Sequence, residues 1–354
     1  MIKILHVADT HIGARQYGLA ERRADFSRAF SQVAELAIAE GVRAVIHSGD
    51  LFDSRNPSTE DLRDLLQILL RLREEGIPFL GVVGNHEQKR GVQWLDLFSS
   101  LGLAIHLGEE PYDLDGIPIY GLDYAGRGEV ELPHLEGGVL VAHQLVDRID
   151  LVRGGGELRF SQLLECGAEI VLLGDYHEHC GWLEGGVLVT YPGSTERWRA
   201  SERAPRGVNL IDLETKRLER RELKTRQFIY LGEDEDPLRG LEAHKHEVKG
   251  AVVCLYRDEK HTPQEIEEEA LQLGALAVQF LERRTTPEVE EEIEVELEVE
   301  SADLEEVLAR EIAALGLSPK GREIDAIIRD ERIPDSGVDP EVTKLLESRG
   351  DGNG

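Results

Sequence analysis

Five near-continuous runs of apolar residues recur along the chain, each about as long as a β-strand. They cover residues 2–8, 44–48, 78–83, 139–141 and 169–173. Runs of this kind are typical of strands that are covered on both faces. Between the first three runs, apolar residues recur at helical spacing over residues 21–40 and 62–72. The alternation of strands and helices predicts a parallel α/β sheet with right-handed crossover connections.

After residue 102 the pattern changes to short runs that are separated by turn residues. These runs lie at residues 117–120, 187–191, 207–213 and 218–223. They predict a second, mixed sheet that packs against the first. We therefore expect residues 1–230 to form one α/β domain.

The remainder of the chain has a different character. Apolar residues become sparse over residues 231–240, which predicts a linker. We expect a smaller α+β domain over residues 241–332 and a partly disordered tail over residues 333–354. The predicted elements of this part are a strand at 251–256, a helix at 263–282, a strictly alternating strand at 293–299, and helices at 304–315 and 321–328.

A short polar cluster follows each of the five apolar runs. The clusters are Asp9-Thr10-His11, Gly49-Asp50, Gly84-Asn85-His86-Glu87, Ala142-His143 and Gly174-Asp175-Tyr176-His177. Because the carboxyl ends of parallel strands meet at one edge of a sheet, we expect these clusters to converge. Carboxylate, imidazole and amide oxygen suit Mn, Fe or Zn, and a bridging aspartate can hold two such ions around a phosphate. The sequence therefore predicts a two-metal centre that cleaves phosphoesters.

The formal net charge of the chain is −30. Proteins that bind nucleic acid usually present a basic surface, because neutralising phosphates supplies much of the affinity. The acidity therefore argues against a nucleic-acid substrate without excluding it. We interpret the acidic surface as an adaptation to a salty or hot cytosol rather than as a binding site for cations or basic partners.

Neither a membrane span nor a signal peptide is evident in the sequence. No segment reaches the roughly 18 consecutive apolar residues that a spanning helix needs, and the start lacks the pattern of a secretory signal. The three cysteines, Cys166, Cys180 and Cys254, are odd in number and widely spaced, which favours reduced thiols. These features predict a cytoplasmic protein.

The motifs also carry a family resemblance. Asp-x-His, Gly-Asp, Gly-Asn-His-Glu, a histidine at a strand end and Gly-x-x-His, in that order, resemble the calcineurin-like metallophosphoesterases over roughly residues 1–225. Within that superfamily, the segments 9–13, 49–58, 84–87 and 191–197 resemble the double-strand-break repair nucleases. The resemblance implies a four-layer sandwich of two mixed sheets flanked by helices, with a smaller α+β cap domain that faces DNA.

The resemblance further implies an activity and partners. It implies a nuclease that depends on two Mn²⁺ ions, acts as a double-strand exonuclease and single-strand endonuclease, and works at DNA ends with an SMC-like coiled-coil ATPase. Carried over position by position, one metal would be held by Asp9, His11, Asp50 and His177, and the other by Asp50, Asn85, His143 and Asp175. His86 would be the general acid that protonates the leaving oxygen.

The sequence departs from the family at one ligand position. Most members have Gly-His-x-His where this chain has Gly174-Asp175-Tyr176-His177. A carboxylate can replace an imidazole as a ligand to Mn²⁺, which accepts oxygen readily. In an alternative register, His177 and His179 would supply the His-x-His pair. The position of Gly174 directly after the strand favours the first register.

Further features bear on substrate and assembly. Four basic residues near the clusters are candidates for contacts with the DNA backbone, namely Arg55, Lys89, Arg90 and Arg197. The apolar predicted helix at residues 91–101 would form a homodimer with its symmetry mate. Two alternatives remain open: a phosphodiesterase or phosphatase for nucleotides or phosphoproteins, and a catalytically degenerate scaffold for the ATPase.

Overall fold

The apolar runs form strands of two six-stranded mixed sheets in the computed structural model of this protein. The structure describes residues 2–126, 130, 132–149, 157–232, 236–257 and 260–281. In chain order, the elements up to residue 222 are β1 (Lys3–Val7), α1 (Ala20–Glu40), β2 (Ala44–Ser48), α2 (Thr59–Glu74), β3 (Phe79–Val82), α3 (Trp94–Ser100), β4 (Ile105–His106), β5 (Tyr112–Leu114), β6 (Ile117–Leu122), β7 (Val139–His143), α4 (Phe160–Glu165), β8 (Ile170–Gly174), β9 (Cys180–Glu184), β10 (Val187–Tyr191), β11 (Gly207–Asp212) and β12 (Arg217–Glu222).

The first sheet has the strand order β12-β11-β1-β2-β3-β4, and the second has the order β5-β6-β7-β8-β10-β9. In the first sheet β1, β2, β3 and β4 are parallel, and β11 and β12 are added on one side through antiparallel pairs. In the second sheet β6, β7, β8 and β10 are parallel, and β5 and β9 pair antiparallel at the two edges. The carboxyl ends of β1, β2 and β3 therefore lie on one edge of the first sheet, and those of β7 and β8 on one edge of the second.

Successive side chains on a strand point to opposite faces of its sheet, so the protein has three apolar layers. One lies outside each sheet, under the helices, and one lies between the two sheets. On β1, Leu5 and Val7 pack toward the helices on the outer face of the first sheet, whereas Ile4 packs between the two sheets. The outer face of the second sheet is covered by α4 and adjoining segments through residues such as Phe160 and Leu163. The predicted fold class, two mixed sheets flanked by helices, is confirmed.

Local sequence determines where the helices begin and end. Ser58 and Asp61 form a reciprocal capping box at the start of α2, and Gly41, with φ 61°, ends α1 in the left-handed region. Helix α3 is shorter than the predicted segment 91–101. It begins after Gln93, whose backbone N–H donates to Asp96 Oδ2 at 2.8 Å.

A third, smaller sheet follows. Its elements are β13 (Phe228–Tyr230), α5 (Pro237–Ala243), β14 (Val252–Tyr256), α6 (Pro263–Gln272) and β15 (Ala277–Leu281), and the three strands are parallel in the order β13-β14-β15. The prediction of one helix over 263–282 was wrong in its second half. Gly274, with φ +93°, follows the end of α6, and the apolar segment after it pairs with β14 instead of continuing the helix.

Two elements of the third sheet lie on or before the predicted linker. Strand β13 lies within the range predicted for the first domain, yet it pairs with β14, and α5 begins within the predicted linker. The chain divides into two compact units, Met1–Arg284 and Thr285–Gly354. The second unit, with the strand predicted at 293–299, the helices at 304–315 and 321–328 and the tail, lies outside the described residues. The boundary at 231–240 stays a prediction.

A buried ionic cluster fixes the third sheet to α1. The carboxylate of Asp25 accepts from Arg22 Nη1 at 2.6 Å and from Arg226 Nη2 at 2.8 Å. Arg226 also donates to the carbonyl of Gly250, in the turn before β14, at 2.6 Å. The Arg22 guanidinium lies 5.5 Å from the centre of the Phe26 ring and 5.2 Å from that of Phe228 on β13. Because Asp25 is nearly inaccessible, each of these charges is neutralised where it is buried.

Within the described part of the chain, none of the helices is both long enough and apolar enough to cross a bilayer.

We predict that His106 makes the stability of this protein depend on pH. Two aspartates, Asp123 and Asp96, raise the pKa of His106 to about 9 in the folded state despite partial burial, whereas an unfolded histidine titrates near 6.5. The stabilisation is therefore complete below about pH 6.5 and is lost as the pH rises through about 9. In urea unfolding at pH 6, the free energy of unfolding of His106→Gln should be lower than that of the parent by on the order of 1 kcal/mol, after allowance for solvent screening. At pH 10 the two free energies should be nearly equal. An equal difference at both pH values would contradict the prediction.

Candidate metal centre

The five polar clusters converge where the carboxyl ends of the parallel strands meet. Two backbone hydrogen bonds join the first two clusters, from Asp9 N to Gly49 O and from His11 N to Asp50 O, both at 3.0 Å. Four of the seven described non-glycine residues with positive φ are candidate ligands: Asp9, His11, Asp50 and Asp175. This left-handed conformation costs free energy for side chains other than glycine, and such strain is concentrated at functional sites.

Asp50 lies at the centre of the cluster. Its Oδ2 atom is 3.4 Å from His143 Nε2, 3.8 Å from His11 Nε2 and 4.0 Å from His86 Nε2. Its other oxygen accepts a hydrogen bond from the backbone N–H of His86 at 3.0 Å. One carboxylate thus lies between three histidines, two from loops and one, His143, from the end of β7. This is the arrangement that a bridging ligand requires.

Two histidines are oriented by a bond at their Nδ1 atoms. His143 Nδ1 donates to the carbonyl of Ser48 at 2.7 Å, and His177 Nδ1 donates to Glu202 Oε1 at 2.8 Å. In each ring the Nε2 atom is then the one that faces the cluster, and His177 Nε2 lies 3.2 Å from His11 Nε2. This is the usual way in which proteins fix the tautomer of a metal-binding histidine.

Asn85 and Asp175 both lie close to His143. The amide oxygen of Asn85 is 3.1 Å from His143 Nε2. In the opposite orientation its nitrogen donates to both oxygens of Asp50 at 3.2 Å, so the side chain faces the cluster either way. Asp175 Oδ1 lies 3.7 Å from His143 Nε2, and Asp175 N donates to Asp9 Oδ1 at 3.1 Å.

The alternative register for the last cluster is not supported by these contacts. His179 Nδ1 donates to the carbonyl of Tyr191 at 3.0 Å, and burial lowers the pKa of this ring. Among the described residues, His177 belongs to a group with Asp9 and His11 that could hold a metal ion, and His179 belongs to none. These contacts fit His177, and not His179, as a metal ligand. Asp175 lies near His143 but belongs to none of these groups, so its role as a ligand stays a prediction.

Close approach of the loops depends on glycine. A Cβ atom on Gly84 would lie 2.1 Å from Asp50 Oδ1, and one on Gly49 would lie 2.4 Å from His143 Nδ1. Contacts this short do not occur between real atoms, so a side chain at either position would displace a candidate ligand. The two glycines are therefore part of the site although they supply no ligand atom.

The electrostatics of the cluster indicate a site for cations. Burial by itself would lower the pKa of His143, but Asp50, Asp9 and Asp175 raise it well above its ordinary value. Burial raises the pKa of Asp9, whose Oδ2 atom is buried without a hydrogen-bond partner. Carboxylates held this close without full neutralisation need positive charge. The residues present fit a pair of divalent cations.

Glu87 holds the loops beneath this cluster. Its carboxylate accepts from Gly84 N at 2.9 Å and from Phe52 N at 3.1 Å, so it joins the loops that follow β2 and β3. Burial and the charge of Asp50 raise the pKa of Glu87 to about 8.

His86 is placed at the edge of the cluster and remains partly accessible. Its Nδ1 atom donates to the carbonyl of Asp53 at 3.2 Å, so Nε2 faces Asp50. The ring packs edge-on against Trp198, whose Nε1 donates to Asp53 Oδ1 at 2.9 Å. A histidine that is oriented on one side and accessible on the other can donate a proton to a bound substrate.

Three residues of this region were not predicted from the sequence. Glu202 orients His177, Trp198 packs against His11, His86 and His177, and Asp53 forms a possible metal-holding group with His11 and His86. Asp53 lies within the segment 49–58 and Trp198 directly follows the segment 191–197. Both segments carry the family resemblance, so position in or next to a motif was a usable signal. For Glu202 the signal was only the general rule that a ligand histidine donates to a carboxylate.

The four basic residues proposed to contact DNA differ in their surroundings. Arg55 and Arg90 are exposed, and Lys89 Nζ lies 3.9 Å from the centre of the Trp94 ring. Arg197 donates to internal acceptors, Glu202 O at 3.1 Å and Thr225 Oγ1 at 2.8 Å. Its guanidinium also lies 5.2 Å from the centre of the Phe228 ring on β13. A contact with DNA stays a prediction for all four residues.

Comparison with known proteins gives two kinds of match. The calcineurin-like phosphoesterase family model matches residues 2–179. The chain is 37% identical, over 98% of its length, to the DNA double-strand break repair protein Mre11 of Methanosarcina mazei, and it spans 60% of that relative. It is 36% identical to Mre11 of Haloferax volcanii and 34% identical to Mre11 of Halobacterium salinarum, again over 98% of its length, and it spans 82% and 94% of those relatives.

We predict that Gly84→Ala weakens metal binding. The new methyl group would occupy the space of the Asp50 carboxylate, and displaced ligand geometry costs on the order of 10- to 100-fold in affinity. Titration calorimetry with Mn²⁺ measures the effect. Gly108→Ala is the matched control, because a Cβ there meets no atom within 4 Å and its φ is not positive. Equal affinities of the two variants would show that the close approach at Gly84 is unimportant.

Proposed function

We propose a function from the premise that this chain belongs to the calcineurin-like phosphoesterase family and, within it, to the family of archaeal Mre11 proteins. The proposed function is that of a metal-dependent phosphodiesterase that cleaves DNA at double-strand breaks. The observation that carries the proposal is the buried Asp50 carboxylate, which lies within 4.0 Å of His11, His86 and His143. The proposed location of the enzyme is the cytoplasm.

Two metal ions would be held by the residues that face Asp50. Asp9, His11, Asp50 and His177 would hold one ion, and Asp50, Asn85, His143 and Asp175 the other. When bound, such a pair polarises the phosphate and makes a water molecule nucleophilic at neutral pH. The extra carboxylate at Asp175 favours Mn²⁺, which binds oxygen ligands readily.

The chain's own residues would perform the remaining steps. Asp50 and Asp9 supply negative charge that retains the cations. His86, oriented through the carbonyl of Asp53, would donate a proton from Nε2 to the leaving oxygen of the scissile phosphodiester. Asp53 and Trp198 would hold this ring in place while its accessible edge meets the substrate.

DNA is the proposed substrate because the relatives are DNA double-strand break repair proteins. We propose both exonuclease action on duplex ends and endonuclease action on single strands, together with an SMC-like ATPase as partner. Bound cations would offset the repulsion between an acidic chain and the phosphate backbone. Arg55, Lys89, Arg90 and Arg197 would contact that backbone. Residues 241–332 would act as the cap that faces the DNA.

The activity is tested with linear duplex DNA and single-stranded DNA in the presence of Mn²⁺. We expect the parent protein to degrade DNA, His86→Ala to lower kcat by about 10² to 10⁴-fold, and Asn85→Ala to weaken activation by Mn²⁺. His134→Ala is the matched control, because this histidine is exposed and outside the cluster. Cleavage of small phosphodiesters with DNA left intact would favour the nucleotide or phosphoprotein phosphoesterase. The absence of any cleavage would favour the scaffold.

We propose that the protein forms a homodimer through the surface of α3. Leu95 and Phe98 on this helix are buried in the core, whereas Val92, Leu97 and Leu101 are 74%, 42% and 54% exposed. Three large apolar side chains on one short segment form a patch that pairing with a second copy would cover.

Introducing charge into this patch should produce monomers. Leu97→Glu combined with Leu101→Glu places two carboxylates at the proposed interface, and burying them there would cost several kcal/mol. Light scattering coupled to gel filtration gives the molar mass. Leu271→Glu, at an exposed leucine on α6 (48% exposed), should leave the mass unchanged. A double variant that remains dimeric would place the interface elsewhere.

A further inference from the structure

A network of polar side chains lies beside the candidate metal centre but contains none of its ligands. Its central residue is His106 on β4. His106 Nδ1 lies 2.7 Å from Asp96 Oδ1, and Nε2 lies 3.0 Å from both oxygens of Asp123. Since both neighbours are carboxylates, both ring nitrogens donate, and the ring carries a proton on each.

Asp123 holds the start of the loop that carries Asn85 and His86. The backbone N–H of Val83, one residue before Gly84, donates to Asp123 Oδ1 at 2.8 Å. The next residue, Tyr124, donates its N–H to the carbonyl of Val83 at 2.8 Å. Both polar groups of the Val83 backbone are therefore fixed by the segment that His106 binds.

Asp96 holds the end of the same loop. Its Oδ2 atom accepts the N–H of Gln93 at 2.8 Å, and the Gln93 amide bonds both backbone groups of Lys89, accepting from N at 2.9 Å and donating to O at 2.7 Å. Gln88 adds a bond to the carbonyl of Tyr124 at 2.8 Å. The segment 83–89 is thus held by hydrogen bonds at both ends. His106 bonds to the carboxylate at each end, Asp123 at the start and Asp96 at the end.

We propose that His106 is a positioning residue for the reaction: it holds the 83–89 loop, and with it Asn85 and His86, by binding Asp123 and Asp96 together. This inference rests on the proposed function. The physical reason is that the positions of the ligand Asn85 and the general acid His86 must be fixed to within a fraction of an ångström. The imidazolium of His106 bonds to both Asp123 and Asp96, two carboxylates that would otherwise repel each other. Because Asp96 lies on α3, the same histidine connects the proposed dimer surface to the loop.

Three substitutions separate the two branches of the network. In His106→Asn the amide nitrogen occupies the place of Nδ1 and keeps the bond to Asp96. In His106→Gln it occupies the place of Nε2 and keeps the bond to Asp123, and His106→Phe loses both. Asp123 bonds the loop backbone directly, whereas Asp96 acts through Gln93. The expected order of impairment is therefore Phe, then Asn, then Gln.

The measurements are Mn²⁺ affinity by titration calorimetry, the kinetics of bis(p-nitrophenyl) phosphate cleavage at saturating Mn²⁺, and thermal unfolding. We expect the Phe and Asn variants to bind Mn²⁺ about tenfold more weakly and to lose about tenfold in kcat with KM little changed. The Gln variant should stay within about threefold of the parent. Glu184→Gln, which breaks an exposed ion pair with Arg148, is the control. It should change neither the Mn²⁺ affinity nor kcat.

Two results would overturn the proposal. One is that all three variants match the parent in Mn²⁺ affinity and kcat while their melting temperatures fall, because His106 would then only stabilise the fold. The other is that Gln is impaired as much as Phe while Asn is not. If His106→Phe does not fold, Asp123→Asn keeps the acceptor for Val83 N but removes the charge, and unchanged Mn²⁺ affinity in that variant would also overturn it. Mn²⁺ affinity tests the network even if the parent protein cleaves no phosphoester, which would refute the proposed function alone.

Discussion

The buried carboxylate of Asp50 is the constraint on which the rest of the site depends. A charged group that is 1% exposed is stable only if it is surrounded by donors and positive charge. Here three histidines approach one of its oxygens and the His86 backbone bonds the other. The approach is possible because Gly84 and Gly49 leave the space that side chains would fill.

The same constraint explains why the ligand loops are strained. Asp9, His11, Asp50 and Asp175 adopt positive φ values between 42° and 82°, and each lies at or just beyond the carboxyl end of a parallel strand. The regular hydrogen bonding of two sheets, whose inner faces share one apolar core, supplies the rigidity that holds these conformations. The strained residues are thus carried by the most regular part of the molecule.

Polar networks fix the loops where the sheets alone do not. Glu87 joins the loops after β2 and β3, Glu202 orients His177, and the Asp25 cluster joins α1 to the third sheet. Glu202 lies in a segment that also reaches the third sheet through Arg197, which bonds both Glu202 O and Thr225. The Arg197 guanidinium also lies 5.2 Å from the Phe228 ring on β13, so the segment that orients His177 is in contact with the third sheet.

The sequence by itself determined the strands, the main helices and the ligand types, because these follow from local periodicity and from the residues at strand ends. Asp9, Asp50, Asn85, His143 and His177 could be predicted as candidate ligands for this reason. The end of α6 at Gln272 and the strand Ala277–Leu281 could not, since a short apolar segment suits either element until a neighbouring strand is available to pair with it. Glu202, Trp198 and the bonds of His106 were decided only by the tertiary structure. Their partners lie from 10 to about 190 residues away in the chain, and no local pattern encodes which distant side chains the packing of two sheets brings within hydrogen-bond distance.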